Sequence, residues 1–404
     1  MNRNAHCLYM VACVSPVCGI IQQITMITQT DYLIVGAGIN GMLTARFLAQ
    51  AGKQVTLIER GEPGRESSWA GGGIVSPLYP WRYTAAVTAL ASWAQEFYPG
   101  LAAELHAETG IDVECRQTGL LMLDAADRDA ALAWAQNNGR VMQQLDPAGI
   151  QALAPALARG FSRGLWMPQI ANVRNPRLCQ ALAQSLQASS QVQLWSGVEA
   201  TDFEESGGTI TGVRITRDDG LDALIKASCV IVCSGAWSAV LLSRLGVNLA
   251  VQPVKGEMLL YKFPKPPVDS IVLTRGRYLI PRADGHLLAG STLEYADFDK
   301  SITNAARQSL SDSATALLPV LQDQTPLQQW AGLRPGSGDG IPFIGKLKRW
   351  DNLFVNAGQF RNGLVLAPAS ARLLSDLVLG RPPIAAPAPY APDRLVANDQ
   401  VAFA

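Results

Sequence analysis

The stretch DYLIVGAGINGMLTARFLAQAGKQVTLIERG, residues 31–61, narrows the possible folds more than any other part of the 404-residue chain. Tyr32 to Val35 is a short apolar run of β-formers, and Met42 to Ala51 has helical composition and ends at Gly52. Gln54 to Ile58 reads as a second strand that finishes at Glu59. Strand, glycine turn, helix and strand form a βαβ unit. Its crossover is right-handed and its strands lie parallel in one sheet.

Gly36, Gly38 and Gly41 stand at G-x-G-x-x-G spacing between the first strand and the helix. Gly36 permits the tight turn, Gly38 lets backbone approach a pyrophosphate, and Gly41 allows close packing of helix on strand. The helix start offers N–H groups and a positive dipole end to phosphates. Glu59 follows about twenty residues on, where a carboxylate accepts ribose hydroxyls. These residues specify a dinucleotide and leave FAD and NAD open.

The remaining chain supplies further loops suited to a ligand. GRESSWAGGGIVSP (Gly64 to Pro77) has three consecutive glycines, Gly71 to Gly73, flanked by Trp69 and Ile74-Val75, which favours backbone packed against the cofactor over a loose loop. Thr84 to Thr109, punctuated by Pro99-Gly100, and Ala125 to Ala158 are expected to be largely helical. VQLWSG, TITGVRIT and the buried strand CVIVCSG, ending at Gly235, return to β pattern. RYLIPRADGHLLAGST (Arg277 to Thr292) reads as a hairpin suited to a second, antiparallel domain. WAGLRPGSGDGIPFIG (Trp330 to Gly345) sets Arg334 among glycines and apolar residues, where a guanidinium is costly to bury unless an anion meets it. Asn352 to Gly380 gives a strand, a turn carrying Arg361 and Asn362, and a helix whose positive end could stabilise a reduced cofactor ring. Pro382 to Pro392 reads as a Pro/Ala-rich tail.

Composition excludes several classes. Lys+Arg and Asp+Glu are both 33, so no basic surplus drives nucleic-acid binding. Seven cysteines and three histidines form no zinc-spaced cluster, so no metal is expected, and reduced thiols suit a cytoplasmic protein. The apolar run Leu8 to Ile21 is too short and Pro-interrupted to span a bilayer, and Met26 is the expected start. With 48% hydrophobic residues the length suits two domains.

GAGING, SSWAGGGIVSP, LWSGVE, PVKGEML, WAGLRPGSGDGIPFIG and AGQFRNGLVLAPA, in this order from about Asp31 to Gly380, resemble the glycine oxidases of the D-amino-acid-oxidase superfamily of flavoproteins. The resemblance implies an α/β fold: a Rossmann-like FAD-binding domain (30–104, 172–246 and 335–385) with a discontinuous α+β substrate domain on an antiparallel sheet (105–171 and 247–334). Residues 1–29 and 386–404 would fall outside it. It implies FAD rather than NAD. Ile39 and Asn40 would lie at the pyrophosphate, and Glu59 and Arg60 at the adenosine ribose. Ser67, Ser68, Gly72, Gly73 and Ile74 would approach pyrophosphate and flavin, Val198 the adenine side, and Gln359, Phe360, Arg361, Asn362, Gly363, Leu364 and Val365 the isoalloxazine. Arg334 matches the carboxylate-binding arginine, Tyr278 adds a hydroxyl to it, and Arg361 sits beside the substrate amine. Gly276 stands where a family member has a histidine, which alters the pocket mouth.

The implied reaction is oxidation of glycine, with sarcosine and small D-amino acids as further substrates, by oxygen. It would supply thiazole synthesis for thiamine, and a homo-oligomer is expected. Moving a hydride from Cα to a flavin asks the protein to bind, orient and dry the site, so no side-chain base is expected. Related oxidases attach flavin through a late cysteine or a histidine near the first motif. Here no cysteine follows Cys233 and no histidine lies between His6 and His106, so the FAD is expected to be non-covalent. The rival readings are a D-amino-acid dehydrogenase passing electrons to a quinone and a flavin module of tRNA modification.

Overall fold

Leu33 and Val35 join one apolar cluster and Ile34 another, because successive side chains of a strand point to opposite faces. All three are buried, so the sheet built on this strand is covered on both sides. The computed structural model describes residues 27–394, and the apolar run and Met26 start expected at the N-terminus lie outside them. The first strand is Ile27–Val35. It begins earlier than the expected Tyr32, and Ile27 to Gln29 pair with Leu224 to Lys226, so these residues belong to the fold rather than to an extension.

The strand order in this sheet is Phe343–Lys346, Leu353–Ala357, Asp222–Val232, Ile27–Val35, Val55–Glu59 and Val192–Ser196. Only the first of these neighbouring pairs is antiparallel. An antiparallel pair, Val198–Ser206 and Thr209–Arg217, branches from Asp222–Val232. Ile27–Val35 has Val55–Glu59 on one side and Asp222–Val232 on the other, and all three run the same way. Their C-terminal ends gather at one edge, where the order of an open parallel sheet reverses and ligands bind. Helices Ile39–Gln50, Ala85–Thr109, Asn175–Ala188 and Gly363–Val378 contribute to the core on one face.

The second sheet runs Gln328–Ser337, Val251–Lys262, His286–Gly290, Arg277–Pro281, Ile271–Thr274, Leu120–Leu123, Gly164–Met167, Gln143–Leu145. It is antiparallel as expected except for one parallel pair, Ile271–Thr274 with Leu120–Leu123, which joins segments distant in sequence. The expected hairpin forms around Gly285 at φ +86°.

One helical reading needs correction. Residues 125–158 are not largely helical: Arg128–Asn137 and Pro147–Leu153 are separated by the strand Gln143–Leu145. Gly139, at φ +60°, follows the first helix, while Asp146 accepts the N–H of Gly149 at 2.8 Å and Pro147 starts the second. Conversely, Ala85–Thr109 continues through Pro99. Its apolar stripe from Val87 to Leu105 is buried on the core, and Tyr98 donates to the Leu364 carbonyl at 2.6 Å. Tertiary packing overrides the local breaker.

The segment read as a tail is also anchored, at least to Arg394. Tyr390 is buried and its hydroxyl donates to the Ala86 carbonyl at 2.8 Å. Arg394 pairs with Asp339 at 3.1 Å. Apolar contact, invisible in a Pro/Ala composition, holds the chain here. Tyr390→Ala should therefore lower unfolding stability by about 3 kcal/mol, the cost of a large aromatic cavity. Chemical denaturation checks this, and an unchanged midpoint would make the segment a loose tail after all.

Candidate functional site

A cavity of about 420 Å³ opens at the C-terminal edge of the parallel sheet and extends to the second sheet. Its dinucleotide end is built by the glycine turn. Gly36 has φ +102°, and a Cβ there would meet the Cys233 carbonyl oxygen at 2.6 Å. Gly41 does not line the cavity. A Cβ on it would lie 1.9 Å from the Gly36 oxygen, so its place is the expected helix–strand packing. Helix Ile39–Gln50 starts at this turn with no acidic residue in its first turn, and Ser68 Oγ accepts the Ile39 N–H at 2.9 Å. Glu59 accepts the N–H groups of Ala37 at 2.9 Å and Gly61 at 3.1 Å, which fixes its carboxylate beside the turn. Arg60 lies over the Trp237 ring at 3.9 Å.

Every expected cofactor and substrate residue other than Gly41 borders this one cavity, including Gly235 at the end of its strand and Val198 on the far side. Gly71 to Gly73 run between the two ends. A Cβ on Gly72 would meet Ile280 at 2.6 Å and Tyr278 at 3.3 Å, so any side chain here would have to push these side chains of the second sheet aside. Arg282, which sequence reasoning missed, fastens this turn: it donates to the carbonyls of Gly72 at 2.9 Å and Val173 at 2.8 Å and to Asn172 Oδ1 at 2.8 Å. Burial pulls its guanidinium down to about 10.

At the other end Arg334 extends across the strand Val251–Lys262. Its Nη2 donates to Ser291 Oγ at 2.8 Å, and Nη1 to the carbonyls of Thr292 at 3.2 Å and Lys255 at 3.3 Å. All three acceptors are neutral. Burial lowers the pKa of this guanidinium, the neighbouring Tyr278 raises it, and the charge of Arg361 lowers it again. Among the described residues no carboxylate pairs with Arg334, and it borders the open cavity. The arrangement is a fixed cation that accepts an anion from the cavity side. Tyr278 lies beside it, with its hydroxyl 3.8 Å from Met258 Sδ. Arg361 lines the same end from the turn Phe360–Asn362, where Phe360 holds the left-handed φ of +48°.

Gly256 is a further residue that sequence reasoning did not single out. A Cβ on it would lie 2.1 Å from Arg334 Nη1, so the guanidinium occupies the space this glycine leaves. The signal was present in PVKGEML, a glycine inside a strand, which marks a close approach. Ser291 and Thr292 were only the end of the hairpin motif, and their partnership with Arg334 depends on a contact across 42 residues.

Three buried side-chain oxygens test whether a dinucleotide suits the cavity. Asn40 Oδ1, Asn175 Oδ1 and Gln359 Oε1 have no hydrogen-bond partner, and all three residues border it. Buried acceptors of this kind call for donors, and a ligand with several hydroxyl and N–H groups along its length provides them. The glycine turn and helix start add a place for its phosphates. The residues fit such a group. Among the described residues no cluster could hold a metal, and no helix is long and apolar enough to cross a membrane.

The FAD dependent oxidoreductase family model, DAO, matches residues 31–377. A glycine oxidase of Pseudomonas aeruginosa is 52% identical over 360 residues, covering 89% of this chain and 98% of that protein. A bifunctional ThiO/ThiG protein of Synechocystis is 31% identical over 88% of this chain and 52% of its own length. The crystal structure of glycine oxidase from Geobacillus kaustophilus superposes with a TM-score of 0.85 at 29% identity, covering 92% of this chain and 100% of that one. The glycine turn, the single cavity joining it to Arg334 and these near-full-length likenesses agree: the chain belongs to the DAO family of FAD dependent oxidoreductases.

Proposed function

We propose that the chain is a glycine oxidase, converting glycine, oxygen and water to glyoxylate, ammonia and hydrogen peroxide through an imine. The observation that carries the substrate class is Arg334, a cation held by neutral oxygens at the cavity wall with no carboxylate partner among the described residues. A guanidinium fork matches an amino acid's carboxylate bidentately. Bound FAD supplies the two-electron acceptor for the Cα–H bond. The chain's own residues bind and orient: Tyr278 adds a hydroxyl beside the carboxylate, while Arg361 stands towards the amine, where a second cation disfavours ammonium. The buried acceptors Asn40, Asn175 and Gln359, with Glu59, hold FAD without a covalent bond. The buried cysteines are poor thiolates besides, since burial raises Cys233 to about 12.

The same reading takes the parallel sheet as the FAD-binding domain and the second sheet as the substrate domain, in a cytoplasmic homo-oligomer that uses oxygen. Sarcosine and small D-amino acids fit as further substrates. The imine is lost to water unless it is captured quickly, so a partner close at hand suits it. The fused ThiO/ThiG relative is an arrangement of that kind, and we place the product in thiazole supply for thiamine.

Three outcomes test the reading. Arg334→Ala should raise KM for glycine by about a hundredfold or more while FAD stays bound, in line with loss of a charge-assisted pair of about 3–5 kcal/mol. An unchanged KM removes the carboxylate assignment. Gly256→Ala, whose new methyl would displace the guanidinium, should raise KM about tenfold without loss of flavin. Under air, glycine should produce peroxide in step with glyoxylate. Flavin bleaching without peroxide would point instead to a dehydrogenase that reduces a quinone.

A further inference from the structure

Glu257 is fully buried and charged, yet it does not border the cavity. It stands one residue from Gly256 on Val251–Lys262, so strand alternation turns it to the face opposite the Arg334 guanidinium. Its carboxylate accepts from the Thr303 N–H at 3.1 Å, the Thr303 hydroxyl at 3.2 Å and Gln329 Nε2 at 2.7 Å. The buried Lys255 ammonium lies 3.7 Å away and Asp299 is 3.7 Å from that same ammonium. A buried carboxylate with this many partners is expensive to assemble.

Its partners bracket one segment. Residues 291–303 leave the strand His286–Gly290 and lead into helix Asn304–Leu317. At the far end Thr303, the N-cap of that helix, is held by the Glu257 carboxylate. At the near end the Glu257 backbone N–H donates to Thr292 Oγ1 at 2.9 Å, and Thr292 N–H donates to the Glu257 carbonyl at 3.2 Å. That near end presents Ser291 Oγ and the Thr292 carbonyl to Arg334. Between the two ends the segment rests on the dinucleotide side of the molecule, through Phe298 against Trp237 at 5.3 Å and Lys300 against Glu66 at 2.9 Å.

We propose that Glu257, with Lys255 as its counter-ion, is a positioning residue for substrate-carboxylate recognition: its carboxylate pins the far end of segment 291–303 while its backbone pairs with the near end, and that segment holds the Arg334 fork. The proposal rests on the glycine-oxidase reading and concerns Arg334 alone. Replacing the Glu257 carboxylate frees the far end from Thr303 and Gln329, and the segment then pivots about the backbone bonds that stay in place at Thr292 and Glu294, which turns the Ser291 and Thr292 acceptors of Arg334. The guanidinium remains present but is no longer pre-aimed, so carboxylate affinity falls while the reaction at saturation does not.

The test uses purified holoenzyme, steady-state kinetics with glycine, and titration with glycolate, a carboxylate lacking the amine, followed by flavin absorbance. Glu257→Gln should raise KM and the glycolate Kd together by about tenfold, with kcat within about twofold and flavin content unchanged. In an Arg334→Ala background the same substitution should change kcat/KM by less than about twofold, because the group it positions is gone. An unchanged KM, an equal loss in both backgrounds, or a fall in kcat alone overturns the proposal. Should Glu257→Gln yield no soluble flavoprotein, Thr303→Val, which removes the hydroxyl's bond to the carboxylate and keeps the buried pair, is measured in the same two backgrounds. It should raise KM about threefold only when Arg334 is present. If Arg334→Ala itself leaves KM unchanged, the carboxylate reading fails. If only the cycle is additive, that reading stands and the positioning role falls.

Discussion

The arrangement on which the site depends is a guanidinium held by oxygens that carry no charge. Arg334 meets a hydroxyl and two carbonyls, which fix its direction and leave its charge uncompensated. A carboxylate in the same position would have given a satisfied structural ion pair and no receptor. Lys255 and Glu257 on the opposite face of the same strand make the contrast, since there the charges answer one another within the protein. One strand thus separates an ion pair that is complete from a cation that is not. Gly256 between them leaves the room for the guanidinium to lie across the sheet.

The dinucleotide end follows from a different constraint, backbone approach. Gly36 and Gly41 are glycines because each Cβ would strike a neighbouring backbone oxygen. Gly72 is a glycine because the second sheet passes against it, and Arg282 ties that crossing through the Gly72 carbonyl. The turn at Gly71 to Gly73 therefore lies against the second sheet and borders the cavity. Removing a side chain here brings two independent scaffolds within reach of one elongated ligand.

Much of this was legible in the chain because it is local. The βαβ unit, the hairpin around Gly285 and the helix after Asn362 are each written within about thirty residues, and turn chemistry and periodicity suffice to read them. Arg334 was legible as an unexplained charge, and motif order gave it a role before any contact was known. What escaped was non-local. The helix through Pro99 survives because its apolar stripe is buried, and Tyr390 is fixed by a groove that its own neighbours do not reveal. Breaker residues report local cost, while the gain that outweighs it lies hundreds of residues away. Residues 125–158 failed in the other sense, since Ala-rich composition concealed a strand and a proline-started helix.

The supporting shell was the least legible part for the same reason. Ser291 and Thr292 contact Arg334 only because the strands His286–Gly290 and Gln328–Ser337 flank Val251–Lys262 in one sheet, and Asn175 borders the cavity from the start of a helix far from any motif. A functional side chain can be identified by its chemistry, but its aim is set by groups that themselves look ordinary. Segment 291–303 illustrates this: the Glu257 backbone holds its near end and the Glu257 carboxylate its far end, and its middle rests beside Trp237 and Glu66 at the dinucleotide end. One short segment thus touches residues that line both ends of the cavity, Arg334 through Ser291 and Glu66 and Trp237 through Lys300 and Phe298.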